Sequence, residues 1–472
     1  MNTFRIEKDF LGEKEIPAHA YYGIQTQRAI ENFRITDIPV SLEPRMVRAL
    51  GYVKKAAAMA NMDLGVLPKN VGKAIVEACD EVIAGEMNDH FVVDVIQGGA
   101  GTSTNMNANE VIANKALEIL GQAKGCYDVV HPNNHVNCSQ STNDVYPTAL
   151  RIALLMIIPD LVHSVQSLAR SFREKAVEFK DILKLGRTQL QDAVPMTLGQ
   201  EFGAFATTVS EDTKRLEAVN ELFCEINIGA TAIGSGLNAP DGYREKTVDY
   251  LRSLTHLPLI SSSDLIEATW DTGAYVQLSG VLRRLAVKLS KICNDLRLLS
   301  SGPRGGLNEI NLPRMQPGSS IMPGKVNPVI PEVVNQVAYQ VIGMDVTVTV
   351  AAEAGQLQLN AMEPVIAFDL FAMLEMLKRG CKVLEDRCIK GITANEDRCR
   401  ELVYSSTSII TALNTILDYE TCAGIAKEAL ESDKTIRNLV LEKDLLSVEE
   451  IDEVLAVENL MHPKYFRTQT KK

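Results

Sequence analysis

The stretch Gly318-Ser-Ser-Ile-Met-Pro-Gly-Lys-Val-Asn-Pro328 gathers residue types able to hold a carboxylate and take a proton from the carbon beside it. Ser319 and Ser320 supply hydroxyls, Lys325 a cation and Asn327 an amide, just ahead of a proline-led helix. A proton on carbon next to a carboxylate is very weakly acidic, so its removal needs preorganised donors around the dianionic enediolate. Backbone N–H groups from Ser319 to Met322, with Lys325 and Asn327, suit that task, and losing one such donor typically costs roughly 10²–10³ in rate. Ser319 or Ser320 is then the base. A free hydroxyl holds its proton too tightly, so the same donors must also stabilise the alkoxide. A mobile Gly-Ser-Ser linker is the bland alternative, but a linker has no need of Lys and Asn fixed before Pro328. Gly318 and Gly324 flank the loop as hinges for a lid.

Three further polar clusters lie where long helical patterns begin or end. Gly98-Gly-Ala-Gly-Thr-Ser-Thr-Asn-Met-Asn-Ala-Asn109 pairs glycines that allow close backbone approach with the hydroxyls of Thr102, Ser103 and Thr104. A helix cap with a tight turn explains it equally well. Asn137-Cys-Ser-Gln-Ser-Thr-Asn-Asp144 places Ser141, Thr142 and Asn143 at a helix start, where hydroxyl, amide and unpaired N–H groups suit a carboxylate or phosphate. Ordinary capping needs fewer groups. In Gly186-Arg-Thr-Gln-Leu-Gln-Asp-Ala-Val-Pro195, Thr188 and Gln189 can bond a ligand, while Arg187 and Asp192 are expected to pair as a structural clasp. His131 and His135, in His131-Pro-Asn-Asn-His135, read as turn residues rather than as a base.

Very long helices are expected to carry these clusters, with no convincing alternating strand and no glycine-rich nucleotide fingerprint. From Asp264 to Leu299 apolar residues recur at three- and four-residue steps, from Leu278 and Val281 to Leu296 and Leu299. Ser262 or Ser263 can cap this start and Gly302-Pro303 follows its end, so one helix of about 50 Å is expected. Similar rods run over about 143–179, 195–226, 328–354 and 364–390, which together imply an all-α bundle. Shorter helices are expected at about 43–63 and 68–84. The segment 333–350 is apolar nearly all round, and a helix buried on every side needs neighbours from another copy, so a homo-oligomer sharing its central bundle is expected. Three domains follow from these shifts in pattern: 1–140, an N-terminal helical domain; 141–395, the long-helix bundle; and 396–472, a small helical domain.

Composition narrows the functions such a scaffold can serve. The chain has 472 residues, 46% of them apolar, enough to bury a large core. Forty-eight basic against 60 acidic residues give a net charge of −12 with no basic block, which argues against nucleic acid as a partner. Attraction of an anion must therefore come from local donors such as Lys325, Arg187 and helix N-termini. Nine cysteines form no C-x-x-C pair, which disfavours a metal cage or disulfide framework. The first ten residues lack an apolar signal region, and the best membrane candidate, 149–162, is broken by Arg151, Pro159 and Asp160. The expectation is a cytoplasmic protein with no membrane partner.

Taken together, the four clusters resemble the fumarase/aspartase superfamily over nearly the whole chain. Met322-Pro-Gly-Lys-Val-Asn-Pro328 resembles the branch that contains fumarases and aspartases, rather than that of the argininosuccinate and adenylosuccinate lyases. The resemblance implies a homotetramer with a shared helical bundle, active sites built from three subunits, and anti elimination across a Cα–Cβ bond to give fumarate. It implies no organic cofactor and no metal in the site; a divalent cation such as Mg2+ as an activator is left open. Carried over by motif, Ser319 is the proton acceptor in a catalytic loop with Gly318, Ser320, Ile321 and Met322. Thr102, Ser141 and Thr142 hold the carboxylate next to the abstracted proton, Lys325 and Asn327 hold the other, and Asn143, Thr188 and Gln189 face the leaving group.

Fumarases typically carry His where this chain has Gln189, paired with a Glu in the following helix that is kept here as Glu332. A neutral amide cannot shuttle a proton, so water loses its relay, whereas ammonia asks mainly for hydrogen bonds. Gly306-Leu-Asn-Glu-Ile-Asn-Leu-Pro313, Gly355-Gln-Leu-Gln-Leu-Asn-Ala-Met-Glu-Pro364 and Tyr21-Tyr-Gly-Ile-Gln-Thr26 with Arg28 also look aspartase-like. L-Aspartate and fumarate are thus the expected substrate pair. Hydration of fumarate is the first rival, and a catalytically silent structural member, like the lens crystallins of this superfamily, is the second. His131-Pro-Asn-Asn134 resembles a second dicarboxylate site of fumarases, with Asn134 where Asp is common.

Overall fold

The computed structural model describes residues 3–432 and 434–461. The chain opens with a hairpin of β1 (Phe4–Asp9) and β2 (Gly12–Pro17), closed at Asp9↔Gly12. Helices α1 (Ile24–Asn32), α2 (Pro44–Asp63), α3 (Lys69–Ala84) and α4 (Thr102–Ile119) follow. Local chemistry sets these ends. Pro44 opens α2, where its missing N–H costs nothing, and the Glu43 carboxylate caps the N–H of Arg45. Gly85, at φ 88°, ends α3 in the left-handed conformation that a side chain would resist.

Next come α5 (Thr142–Glu178), the hairpin β3 (Leu183–Thr188)–β4 (Gln191–Thr197), α6 (Leu198–Asn220), β5 (Glu225–Ile226), α7 (Tyr243–Thr255), β6 (Ile260–Ser261), α8 (Leu265–Trp270) and α9 (Gly273–Leu299). The remainder holds β7 (Ile310–Asn311), α10 (Val329–Glu353), α11 (Glu363–Arg387), β8 (Thr393–Ala394), α12 (Glu396–Ser405), α13 (Tyr419–Ser432), α14 (Ile436–Glu442), α15 (Val448–Val454) and α16 (Val457–Met461). β5 pairs parallel with β6, and β7 antiparallel with β8. The fold is all-α in the sense expected, with strands confined to two-stranded sheets.

Three expectations are corrected. The rod from Asp264 is two helices, because Asp264 rather than Ser262 or Ser263 caps α8, and Asp271 turns extended and accepts the N–H of Gly273 to start α9. The rod over 195–226 is shorter: its first residues belong to β4, and α6 starts where Thr197 and Gln200 exchange side-chain-to-backbone hydrogen bonds, a reciprocal cap. The two hairpins replace the expected absence of strands.

The described chain forms two compact units, each assembled from three separate stretches: 1–163, 212–286 and 339–378, and then 164–211, 287–338 and 379–472. In the first unit α2 packs on α3 and α7, with Ala57, Ala60 and Tyr243 buried together. In the second, Leu183 and Leu185 of β3 join Val403, Leu413, Leu439 and Ile451 in one apolar core. Helices α5, α6, α9, α10 and α11 each begin in one unit and end in the other. α5 is long and apolar enough to cross a membrane by composition, but 78% of its most apolar window is buried, the pattern of a core helix. On α10 Val333, Tyr339, Val346 and Val350 are exposed, so this helix keeps an apolar face toward solvent.

Candidate active site

The expected site residues divide between the units. Thr102, Ser141, Thr142 and Asn143 lie in the first; Thr188, Gln189, the loop from Gly318 to Met322, Lys325 and Asn327 lie in the second. In the first unit the chain reaches α4 through Gly99, Ala100 and Gly101, all at positive φ. Gly101 caps the helix at φ 87°, and a Cβ there would sit 2.3 Å from the Tyr146 ring, so only glycine fits. A Gly101→Ala variant is expected to lose about 2–4 kcal/mol of stability, from strained backbone and a displaced buried ring, read as a lower urea midpoint. Thr102 is the first residue of α4, and its hydroxyl donates to the Gly99 carbonyl at 2.7 Å.

The start of α5 lies against this turn. The Ser141 hydroxyl accepts the N–H of Asn143 at 3.2 Å, and Asn105 of α4 donates its amide to the Thr142 hydroxyl at 3.1 Å. Asn143 donates to the Ala232 carbonyl at 2.8 Å. Two helix N-termini are thereby tied together, and their dipoles and unpaired N–H groups favour an anion.

Beneath them sit charges that the sequence reading did not assign. Asp144 is fully buried and accepts N–H groups from Ser141, Gly229 and Thr231. Lys54 of α2 is equally buried and donates to the Asn137 and Gln140 side chains, each at 2.9 Å. Burial pushes the Asp144 carboxyl up to about 7 and pulls the Lys54 ammonium down to about 7. The signal for Lys54 was present: Leu50, Val53, Lys54 and Ala57 follow the buried helical stripe, which places a cation on an apolar face.

In the second unit the loop folds on itself. Gly318 donates its N–H to the Lys325 carbonyl at 2.8 Å, and Asn327 donates its amide to the Gly318 carbonyl at 2.8 Å. The Ser319 hydroxyl accepts N–H groups from Ile321 at 3.1 Å and Met322 at 3.0 Å. Two backbone donors on one hydroxyl oxygen stabilise negative charge there, as a proton acceptor requires. Ser320, Ile321, Met322 and Lys325 are exposed.

Thr188 and Gln189 form the tip of the β3–β4 hairpin, with Gln189 and Leu190 at φ 54° and 63°. Neither is a residue that favours this mirror-image turn, so the tip is held against local preference. The expected Arg187–Asp192 clasp is not formed. The two are cross-strand partners in register, but Arg187 turns to Glu309 at 2.6 Å and Asp192 accepts from Ser406 at 2.7 Å. His131 caps the turn at 132–136, its Nδ1 accepting N–H groups from Asn133 and Asn134. All nine cysteines are free. A cleft of about 650 Å³ in the first unit, among Arg151, Arg215, Glu225, Glu267 and Asp271, includes none of the expected site residues.

A family described simply as Lyase matches residues 12–343, and one described as Fumarase C C-terminus matches residues 409–462. The chain belongs to the fumarase/aspartase superfamily. Among curated members of this superfamily, the aspartate ammonia-lyase of Pseudomonas canavaninivorans is 58% identical over 98% of this chain and 98% of its own. That of Escherichia coli K12 is 56% identical over 98% and 97%, respectively. A solved structure titled fumarate lyase:delta crystallin from Brucella melitensis bound to cobalt superposes with a TM-score of 0.94 at 55% identity, covering 97% of this chain and 99% of that one. A class II fumarase from Schistosoma mansoni superposes at 0.93 but is only 34% identical, over 98% and 99%. The chain thus shares its fold with this fumarase at 34% identity and is 56–58% identical to these aspartate ammonia-lyases.

Proposed function

We propose that the chain is an aspartate ammonia-lyase, catalysing the reversible anti elimination of ammonia from L-aspartate to give fumarate. The observation that carries it is the Ser319 hydroxyl with its two backbone donors, in a loop that also bears Lys325 and Asn327. Ser319, as alkoxide, takes a proton from Cβ; the carboxylate beside that carbon becomes an enediolate; collapse of the enediolate forms the Cα–Cβ double bond and releases the amino group as ammonia.

Thr102, Ser141 and Thr142 at the paired helix starts hold the carboxylate that becomes the enediolate. Lys325 and Asn327 hold the other; an amide with two hydrogens can keep its bond to Gly318 and still donate to substrate. Asn143, Thr188 and Gln189 face the amino group. Assembly is a homotetramer in the cytoplasm, with each site drawn from several subunits; the exposed apolar face of α10 supports such a shared bundle. The chemistry needs no organic cofactor, and a divalent cation such as Mg2+ enters only as an activator.

The choice of ammonia over water is supported by Gln189 and by the identity to aspartate ammonia-lyases. L-Aspartate and L-malate are to be assayed side by side through the ultraviolet absorbance of fumarate. Aspartate is expected to give the signal. A signal from malate alone replaces the reading with hydration, and silence with both replaces it with a structural role.

A further inference from the structure

The aspartase-like stretch from Gly306 to Pro313 contains Glu309, which no step of the elimination uses, although its side chain is fully buried in the second unit. Its Oε1 accepts from Arg187 Nη1 at 2.6 Å, and its Oε2 lies 3.1 Å from Lys184 Nζ. Lys184 in turn reaches Glu201 of α6 at 2.6 Å. Two cations and two carboxylates thus neutralise one another away from water, where a charge left alone is costly.

The backbone of Glu309 is equally committed. Its N–H donates to the Leu299 carbonyl at the end of α9, and its carbonyl accepts the N–H of Asn395 at the start of α12. Ile310 and Asn311, the next two residues, pair with β8, and the chain then runs on to Gly318 and the serine loop. Arg187, in β3 at the other end of the ion pair, immediately precedes Thr188, the last residue of that strand, and Gln189 of the turn. The tip that these residues form is held at positive φ by residues that do not favour it, so something other than local preference must fix where Gln189 points.

We propose that Glu309 is a positioning residue: through Arg187 and Lys184 it clamps the β3–β4 hairpin to the segment that follows α9, so that Thr188 and Gln189 at the hairpin tip are held where they meet the amino group of the substrate. The proposal rests on the elimination described above. A shift of about 1 Å in a positioning group can cost about 10²-fold in rate. Glu309 does not touch substrate, so its loss acts on the reacting geometry and leaves ground-state binding largely intact.

The test is a double-mutant cycle in the full-length protein, reading kcat and KM for L-aspartate in the parent, Glu309→Gln, Gln189→Ala and the pair. Glu309→Gln is expected to lower kcat about 10²-fold with KM within about threefold of the parent. Gln189→Ala is expected to cost far less in that background than in the parent, because a misplaced tip has little left to lose. Glu309→Asp, which keeps the charge, is expected to recover part of kcat. Retention of most of the parent kcat by Glu309→Gln, or the same cost for Gln189→Ala in both backgrounds, overturns the proposal. If Glu309→Gln does not fold, Arg187→Lys takes its place under the same criteria, since it keeps the cation but loses the planar fork. A parent that turns over L-malate instead of L-aspartate defeats the proposed substrate, and the cycle is then read with L-malate, so the two failures remain distinct.

Discussion

A Ser319→Ala variant is expected to fold and assemble as the parent does, yet to lose about 10⁴-fold in aspartate turnover, the upper end of what a positioned proton acceptor contributes. Both halves of that expectation come from the loop. The hydroxyl accepts the N–H groups of Ile321 and Met322, two donors that stabilise negative charge on its oxygen. The neighbouring Ser320 lacks this pair of donors among the described hydrogen bonds and is exposed, which makes it a poor substitute. The loop is a surface turn whose ends are tied by Gly318, Lys325 and Asn327, so removing one hydroxyl disturbs no core. Steady-state turnover, circular dichroism and size-exclusion profiles of parent and variant decide the matter; turnover within tenfold of the parent removes Ser319 from the mechanism.

The second large effect concerns stability. Glu363, the first residue of α11, is buried with Tyr146 and Tyr275, and burial pushes its carboxyl up to about 8 despite the nearby Arg151 cation. The ordinary value for a glutamate is about 4.5. Between those two values the folded chain holds a proton that the unfolded chain releases, so stability falls as pH rises through the window and levels off above it. The full loss is on the order of 5 kcal/mol. A Glu363→Gln variant carries no such proton. It is expected to match the parent near pH 4.5 and to exceed it by a few kcal/mol above pH 8. Asp144 and Glu110 titrate near 7, but they are common to both proteins and cancel in the comparison. Urea midpoints of both proteins at pH 5, 7 and 8.5 measure the gap, and parallel profiles contradict the expectation.

The long helices were legible because their signals are local. α5, α10 and α11 begin and end within about three residues of the ranges read from periodicity, because one amphipathic repeat and one capping residue suffice to place each end. The hairpins were not legible for an equally physical reason. β2 reads Gly-Glu-Lys-Glu-Ile-Pro, a largely charged ribbon with only Ile16 fully buried, so the alternation that marks a half-buried strand is absent. The hidden break at Asp271 needed knowledge of which side chain caps which N–H.

The candidate site divides along the same line. Its exposed polar clusters stood out against apolar helices, whereas the charges beneath them acquire meaning only through distant partners. Lys54 finds Asn137 and Gln140 more than 80 residues away, and Arg187 turns from its cross-strand neighbour Asp192 to Glu309, 122 residues along. Spacing favoured the nearby partner; folding chose the far one.

Neither compact unit is a contiguous piece of the chain, and this governs how the protein can be made and cut. The first unit closes only once residues 339–378 have been synthesised, and the second waits for stretches beyond residue 379. During translation, more than two thirds of the polypeptide must emerge before either can complete its packing, leaving the apolar faces of α5 and α9 in need of shelter meanwhile. For the same reason no single scissor point separates the units: a truncation that removes one necessarily strips a stretch from the other. Chimaeras with relatives should therefore exchange whole units, three segments at a time, rather than an amino-terminal half for a carboxy-terminal one.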